Sequence, residues 1–488
     1  MTIETLSDKV LLKIFSYYLD DSPRLWPKLV HICRRSRRIV CASQRALHLR
    51  LFCTYGTPVL KALDYWPTLP IVVNFGGSPA LNPPGPEDED NIMATLKQSG
   101  RVCSIGLTVS SSLLERFSAI SEPFSELEEL VLLSQNNAQL TLPSTFRWGP
   151  RLGILHLTRV TFPALPQLLY SSRNLVDLQL HEVLNTWHIS PATLVNALSG
   201  MAQLQSLSLH FPSTSNHIAP LPSGERIILP SLTRLNFRGV NAYLEGLVAR
   251  IDTPGLRDIE AAFFNKRIFD VSKLSEFIDR IETQKSHRRA DILSSESAIS
   301  ISLTQPGALA CLRMQVYCEP LSGQVYSMAQ ICSHFPAFIS RVEDLHINVM
   351  RPSSSRQDGV KAGRWLDLFE SFMGVKRFHV AGNFSTNILL ALQPSESWRK
   401  TVLPALHKLR IREPESRCVP LRKAVVSFTY SRRLSGRFLE VEYERQWIHG
   451  HRGTGTTYAQ RQDHTLTCFE QDLFLSRPRL RFSPMTSF

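Results

Sequence analysis

No Cys-x-x-Cys pair occurs in the 488 residues, and the nine cysteines, an odd number, are scattered singly from Cys33 to Cys468. That spacing excludes a zinc ribbon or finger and offers no disulfide framework. It predicts reduced thiols packed as small apolar side chains. Long hydrophobic runs are also missing: nothing approaches the roughly 18–20 consecutive apolar residues that a membrane-spanning helix needs. Met1-Thr2-Ile3-Glu4 lacks the basic and apolar regions of a secretory signal. The expectation is a cytoplasmic or nuclear protein with no membrane partner.

Catalytic signatures are absent too. There is no G-x-x-x-x-G-K-[ST] loop for phosphates, no H-E-x-x-H and no G-x-S-x-G. Gly450-x-x-Gly453-x-Gly455 has neither the lysine nor a preceding strand. The histidines stand alone: His156, His181, His346 and His407 fall within or beside strand-like segments and read as surface residues of a sheet. The expectation is no enzyme, no catalytic residue, no cofactor and no metal.

What is present begins with charge. Lys and Arg number 55 against 42 Asp and Glu, a formal net charge of +13. A basic balance suits nucleic acid or an acidic partner. The arginines are dispersed apart from Arg34-Arg35-Ser36-Arg37-Arg38 and Arg477-Pro-Arg479-Leu-Arg481, and neither cluster has the aromatic pattern of an RNA-binding sheet. This argues against direct nucleic-acid binding.

Residues 1–52 read as a small helical domain. Leu6, Val10, Leu11, Ile14 and Phe15 recur along one side of a helix, with Ser7 and Asp8 placed to cap it. Asp20-Asp21-Ser22-Pro23 breaks the chain; Trp26, Leu29, Val30 and Cys33 then mark a second helix, and Ile39, Val40 and Ala42 a third. This unit has more apolar surface than it can bury alone, so a neighbouring domain or a partner must cover the rest. Residues 53–99 read as a connecting segment with a strand at 71–73 and, from Gly76 to Asn91, an exposed acidic, proline-rich loop.

A repeat follows over 100–445. Leu127-Glu-Glu-Leu130-Val-Leu132, Leu152-Gly-Ile-Leu155-His-Leu157, Leu175-Val-Asp-Leu178-Gln-Leu180 and Leu204-Gln-Ser-Leu207-Ser-Leu209 all match L-x-x-L-x-L. Leu232-Thr-Arg-Leu235-Asn-Phe237 and Leu256-Arg-Asp-Ile259-Glu-Ala261 continue it, and the first residues lie 25, 23, 29, 28 and 24 apart. That period is near that of leucine-rich repeats, in which a short strand and a connecting helix stack on identical neighbours to bury one core. Gln135, Val160, Val183, Pro212, Val240 and Phe264 stand where an asparagine ladder would run, which predicts an irregular array. Fainter echoes include Ala298–Leu303, Leu309–Met314, Val342–Ile347, Val375–Val380 and Leu406–Ile411. Trp365–Phe372 reads as a helix, and Val425–Phe428 and Phe438–Tyr443 as a last helix and closing strand. Trp148, Trp187, Trp365 and Trp398 read first as packing under repeat turns. Residues 446–488 lose periodicity and read as a tail.

The N-terminal residues Leu6-Ser-Asp-Lys-Val10-Leu11-Leu12-Lys-Ile14-Phe15, followed by Trp26-Pro-Lys-Leu29-Val30-His-Ile32-Cys33-Arg34-Arg35-Ser36-Arg37, resemble the F-box. With Leu51-Phe-Cys-Thr-Tyr-Gly-Thr-Pro they are similar to fungal, basidiomycete-type F-box proteins with degenerate leucine-rich repeats. Ser7 replaces the family's proline and Ser36 its second-helix tryptophan. The resemblance implies an α/β chain: an N-terminal F-box-like helical module followed by an irregular leucine-rich-repeat solenoid. It implies a substrate receptor of the SCF-type cullin ubiquitin ligase. Leu6, Val10, Leu11, Ile14, Phe15, Leu29 and Val30 would face the ligase's adaptor subunit, and the cullin through it, or support that face. The repeats would hold an unnamed target protein. The alternatives are a ligase-independent repeat scaffold and a basic nucleic-acid-binding repeat protein.

Overall fold

Each Leu-x-Leu triplet forms a short strand with its leucines turned inward. In Ile154–Thr158, Leu155 and Leu157 are fully buried while Ile154, His156 and Thr158 are only partly covered, the alternation a pleated strand imposes. The computed structural model describes residues 5–445 apart from 56–58, 77–83, 118, 135–138, 144–145, 184–188, 212–224, 265–269, 306–310, 350–359, 383–384, 393–401 and 414–417. The stretch 446–488, Trp187 and Trp398 lie outside the described residues. These residues divide into two compact units, with the boundary between Leu152 and Gly153.

The first unit opens with helices α1 (Asp8–Asp21), α2 (Trp26–Ile32) and α3 (Arg34–Ala42). Ser7 caps α1, its side chain accepting from the Val10 amide. Four parallel strands follow with helices between them: β1 (Leu51–Cys53), α4 (Val59–Tyr65), β2 (Ile71–Phe75), α5 (Pro86–Leu96), β3 (Val102–Val109), α6 (Ser111–Phe117) and β4 (Glu129–Ser134). Cys53 pairs with Val73, Val73 with Ile105, and Ile105 with Leu130.

The acidic run expected in a loop opens α5 instead. Pro86 stands in its first turn with Glu87, Asp88 and Glu89, where proline loses no hydrogen bond and negative charge complements the helix dipole. Glu89 at 3.5 Å and the following Asp90 at 2.8 Å reach Arg116 on α6.

The second unit carries β5 (Ile154–Thr158), β6 (Asp177–His181), β7 (Ser206–His210), β8 (Arg234–Gly239), β9 (Asp258–Phe264), β10 (Arg289–Ser294), β11 (Ala298–Thr304), β12 (Cys311–Tyr317), β13 (Asp344–Val349), β14 (Arg377–Gly382), β15 (Lys408–Glu413) and β16 (Glu440–Arg445). Its helices include α7 (Leu165–Ser171), α8 (Pro191–Leu198), α9 (Asn241–Val248), α10 (Ser272–Asp279), α11 (Leu321–His334), α12 (Pro336–Ile339), α13 (Ala362–Phe369), α14 (Ser385–Ala391) and α15 (Cys418–Leu434). The repeats stack in register: Leu155, Leu178, Leu207, Leu235, Ile259 and Leu312 form one row, and Leu157, Leu180, Leu209, Phe237, Ala261 and Met314 the next. Each fully buried leucine contributes roughly 1.5–3 kcal/mol relative to exposure, so the rows are the core.

One stretch departs from the repeat. Ala298–Leu303, read from sequence as another member of the series, lies in β11 and runs antiparallel to both neighbours. β10, which has no leucine triplet to announce it, completes a meander. The spatial order is β9, β12, β11, β10, β13, and parallel pairing resumes on either side. The buried Gln324 of α11 holds this insert: its Nε2 donates to the carbonyls of Cys318 at 2.5 Å and Ser295 at 3.1 Å, and its Oε1 accepts from Ser294 Oγ at 2.6 Å.

In place of an asparagine ladder, individual arginines bind main-chain carbonyls of the preceding repeat. Arg280 reaches Val248 and Ile251, and the buried Arg432 reaches Val402, Leu403 and Leu406. Arg101 does the same in the first unit with Trp66 and Leu69. Gly382 ends β14 at φ +92°, where a Cβ would stand 2.3 Å from the Val349 carbonyl oxygen; only glycine fits.

Candidate functional site

Helix α1 has two apolar faces. Leu11, Phe15 and Leu19 are buried, while Val10, Ile14, Tyr17 and Tyr18 are exposed. The exposed set falls at i, i+4, i+7 and i+8, a single stripe. Ile32, at the end of α2, is also half exposed. The structure therefore sorts the seven residues assigned to the adaptor interface from sequence. Leu11, Phe15, Leu29 and Val30 are core, Val10 and Ile14 face outward, and Leu6 is partly covered.

The stripe sits on a braced base. Arg35 of α3 donates to Asp8 Oδ1 at 2.6 Å and to the Leu6 carbonyl at 2.6 Å, and Arg38 lies 3.2 Å from Asp8 Oδ2. The Arg35 hydrogen bond holds the Asp8 carboxyl below its ordinary range. Ser36 is buried and satisfied: its Oγ donates to the Leu29 carbonyl at 2.5 Å. Trp26 packs edge-on against Trp66, 4.9 Å between centres, with Nε1 donating to the Arg50 carbonyl at 2.8 Å.

The second unit presents the polar positions between its leucines as continuous rows. One row runs His156, Gln179, Ser208, Asn236, Glu260 and Arg313; the next runs His181, His210, Arg238 and Ala262. His156 Nε2 lies 3.1 Å from Asp177 Oδ2. His181, read from sequence as a surface residue, is buried under its neighbours. Its Nε2 lies 2.8 Å from Ser208 Oγ, and His210 Nε2 lies 3.2 Å from Asn236 Oδ1, which places the His210 proton on Nε2. The Arg238 guanidinium lies over Phe264 and Tyr317.

Towards the end of the array the face is a lattice of ion pairs. Arg289 grips Asp291, Arg377 grips Asp344, and Arg410 grips Glu442. His346 stacks on His379 at 4.1 Å, and burial, with the Arg289 charge beside it, pushes the His346 imidazole down. His407 is exposed. Trp148 and Trp365 are buried. Among the described residues no group of three His, Cys, Asp or Glu side chains is arranged to hold a metal ion.

Sequence reasoning found the strands but not the partners across them. The middle residue of each Leu-x-Leu is the signal that finds this face: aligning the triplets lists the first row directly.

No protein-family model matches the chain, and no curated protein matches it. Among solved structures the chain is similar to the leucine-rich repeat-containing protein LegL7 from Legionella pneumophila. The identity is 13%, the match covers 67% of this chain and 90% of that one, and the TM-score is 0.26.

Proposed function

We propose that this chain is a protein-interaction adaptor of the F-box kind. The open stripe of α1 docks the adaptor subunit of an SCF-type cullin ligase, and the polar strand face of the second unit receives a target protein. The observation that carries the reading is the outward row Val10, Ile14, Tyr17 and Tyr18 on a helix whose other side is already committed to the core. Exposed apolar rows of this kind mark contact surfaces. The ordered helices α1 to α3 and the satisfied Ser36 support it: loss of the tryptophan leaves the module folded.

The test is capture of the purified SCF adaptor by the full chain. Val10→Asp with Ile14→Asp should abolish capture and leave the melting temperature within about 2 °C, since exposed positions change stability by no more than about 0.5 kcal/mol. Leu11→Asp is the wrong probe because it buries a charge and unfolds the module. Failure of the wild-type chain to capture the adaptor sinks the ligase reading and leaves the ligase-independent scaffold.

A further inference from the structure

Arg238 on β8 faces Ala262 across the strand pair. The small alanine lets the arginine lie across β9, and its guanidinium comes to rest 5.5 Å from the centre of Phe264 and 4.7 Å from that of Tyr317. These rings are register partners on β9 and β12 and stack on each other, 5.8 Å between centres. A guanidinium laid on aromatic rings is fixed in orientation through its faces, while its N–H donors point outward in its plane.

Three carboxylates of this face are held by other partners. Glu260 lies 3.5 Å from Arg313, Glu182 is paired with Arg159, and Asp177 faces His156. Arg238 has no ion pair and no side-chain hydrogen bond among the described residues. Its other flank is formed by His210 and His181, which carry no negative charge. A preoriented cation without an anion among the described residues is a vacant half of a charge-assisted pair. A carboxylate matches the in-plane donors two at a time.

We propose that Arg238, laid on Phe264 and Tyr317, is a carboxylate-binding site that takes an acidic side chain from an extended peptide segment of the target. This names the target's chemistry and rests on the target-binding half of the reading above, independently of adaptor capture.

The test is fluorescence anisotropy of a fluorescein-labelled octaglutamate peptide titrated with the full chain at low salt, with octaglutamine as the uncharged control. The wild-type chain should bind the octaglutamate saturably and the octaglutamine at least tenfold more weakly. Arg238→Gln should weaken octaglutamate binding at least tenfold, and Tyr317→Leu several-fold with the charge unchanged. Arg234→Gln, an exposed arginine on the same strand, should change it less than twofold. Melting curves of each variant verify the fold. The proposal is overturned if the wild-type chain shows no saturable binding, if Arg238→Gln binds like wild type, or if Arg234→Gln loses as much, which would mean dispersed charge. Because no adaptor is in the experiment, its outcome does not depend on adaptor capture.

Discussion

The imidazole of His181 lies flat on that of His210, 3.9 Å between ring centres and 6° from parallel, where β6 and β7 bring the two residues into register. Burial dominates both, pushing His181 down to about 2 and His210 down to about 4. Folded values below the ordinary one mean that the unfolded chain takes up protons first as pH falls. Stability is therefore complete above about 6.5 and is lost as pH drops through 4 towards 2. The Cε1 protons of this pair should not titrate between pH 7.5 and 5.0 in NMR spectra, and His181→Gln with His210→Gln should flatten the fall in melting temperature over that range. A midpoint near that of a free imidazole would contradict the stacked geometry.

Glu245 should act in the opposite sense. It projects from α9 to the start of α10, where its two oxygens accept from the amides of Lys273 at 2.7 Å and Leu274 at 2.9 Å. Burial raises it to about 7 although these two bonds lower it. The folded value lies above the ordinary 4.5, so its contribution is full below that value and is lost as pH rises through about 7. Glu245→Gln keeps one acceptor and removes the titration. The variant should gain on the wild type in denaturation midpoint between pH 5 and 8; a constant difference across that range would show that Glu245 does not titrate there.

Gln324 offers a stability test. Gln324→Leu removes the bonds that Gln324 makes to the Cys318 and Ser295 carbonyls and from the Ser294 hydroxyl. Losing a buried hydrogen bond while one partner stays behind costs about 1–3 kcal/mol, and local relaxation should bring the total to about 2–4 kcal/mol. Chemical denaturation measures the sum. Hydrogen exchange should show the loss concentrated in β10 and β11, with β5 to β7 changed least.

Much of this architecture is legible in the sequence because its cause is local. A buried leucine every second residue requires a strand, and the period requires stacking. β10 carries no readable triplet because its buried face alternates Ala290, Ile292 and Ser294 with no leucine among them, and strand direction leaves no mark on a two-residue period. The brief Ser295-Glu296-Ser297 link between β10 and β11 was the readable sign of a hairpin. The acidic run misleads because prolines, glycines and like charges together point to a loop, whereas Pro86 and the carboxylates after it also suit the first turn of a helix. At the α1 face the pattern located the helix, but it could not tell Leu11 from Ile14, because both are apolar and only packing decides which side is open. Arg238 and Tyr317 meet because β12, not β10, lies against β9, a neighbour relation that no spacing encodes.

The meander also bears on how the chain is built. A simple repeat array can grow one strand at a time as it leaves the ribosome, each new strand finding its template already in place. Here β10 emerges before the strand that belongs beside β9, and it cannot take its position until β11 and β12 have been made. Growth should pause after β9 and resume as a three-strand step, and only then does β13 acquire an edge to bind. A released chain truncated within β11 should therefore protect β5 to β9 from protease and leave β10 exposed.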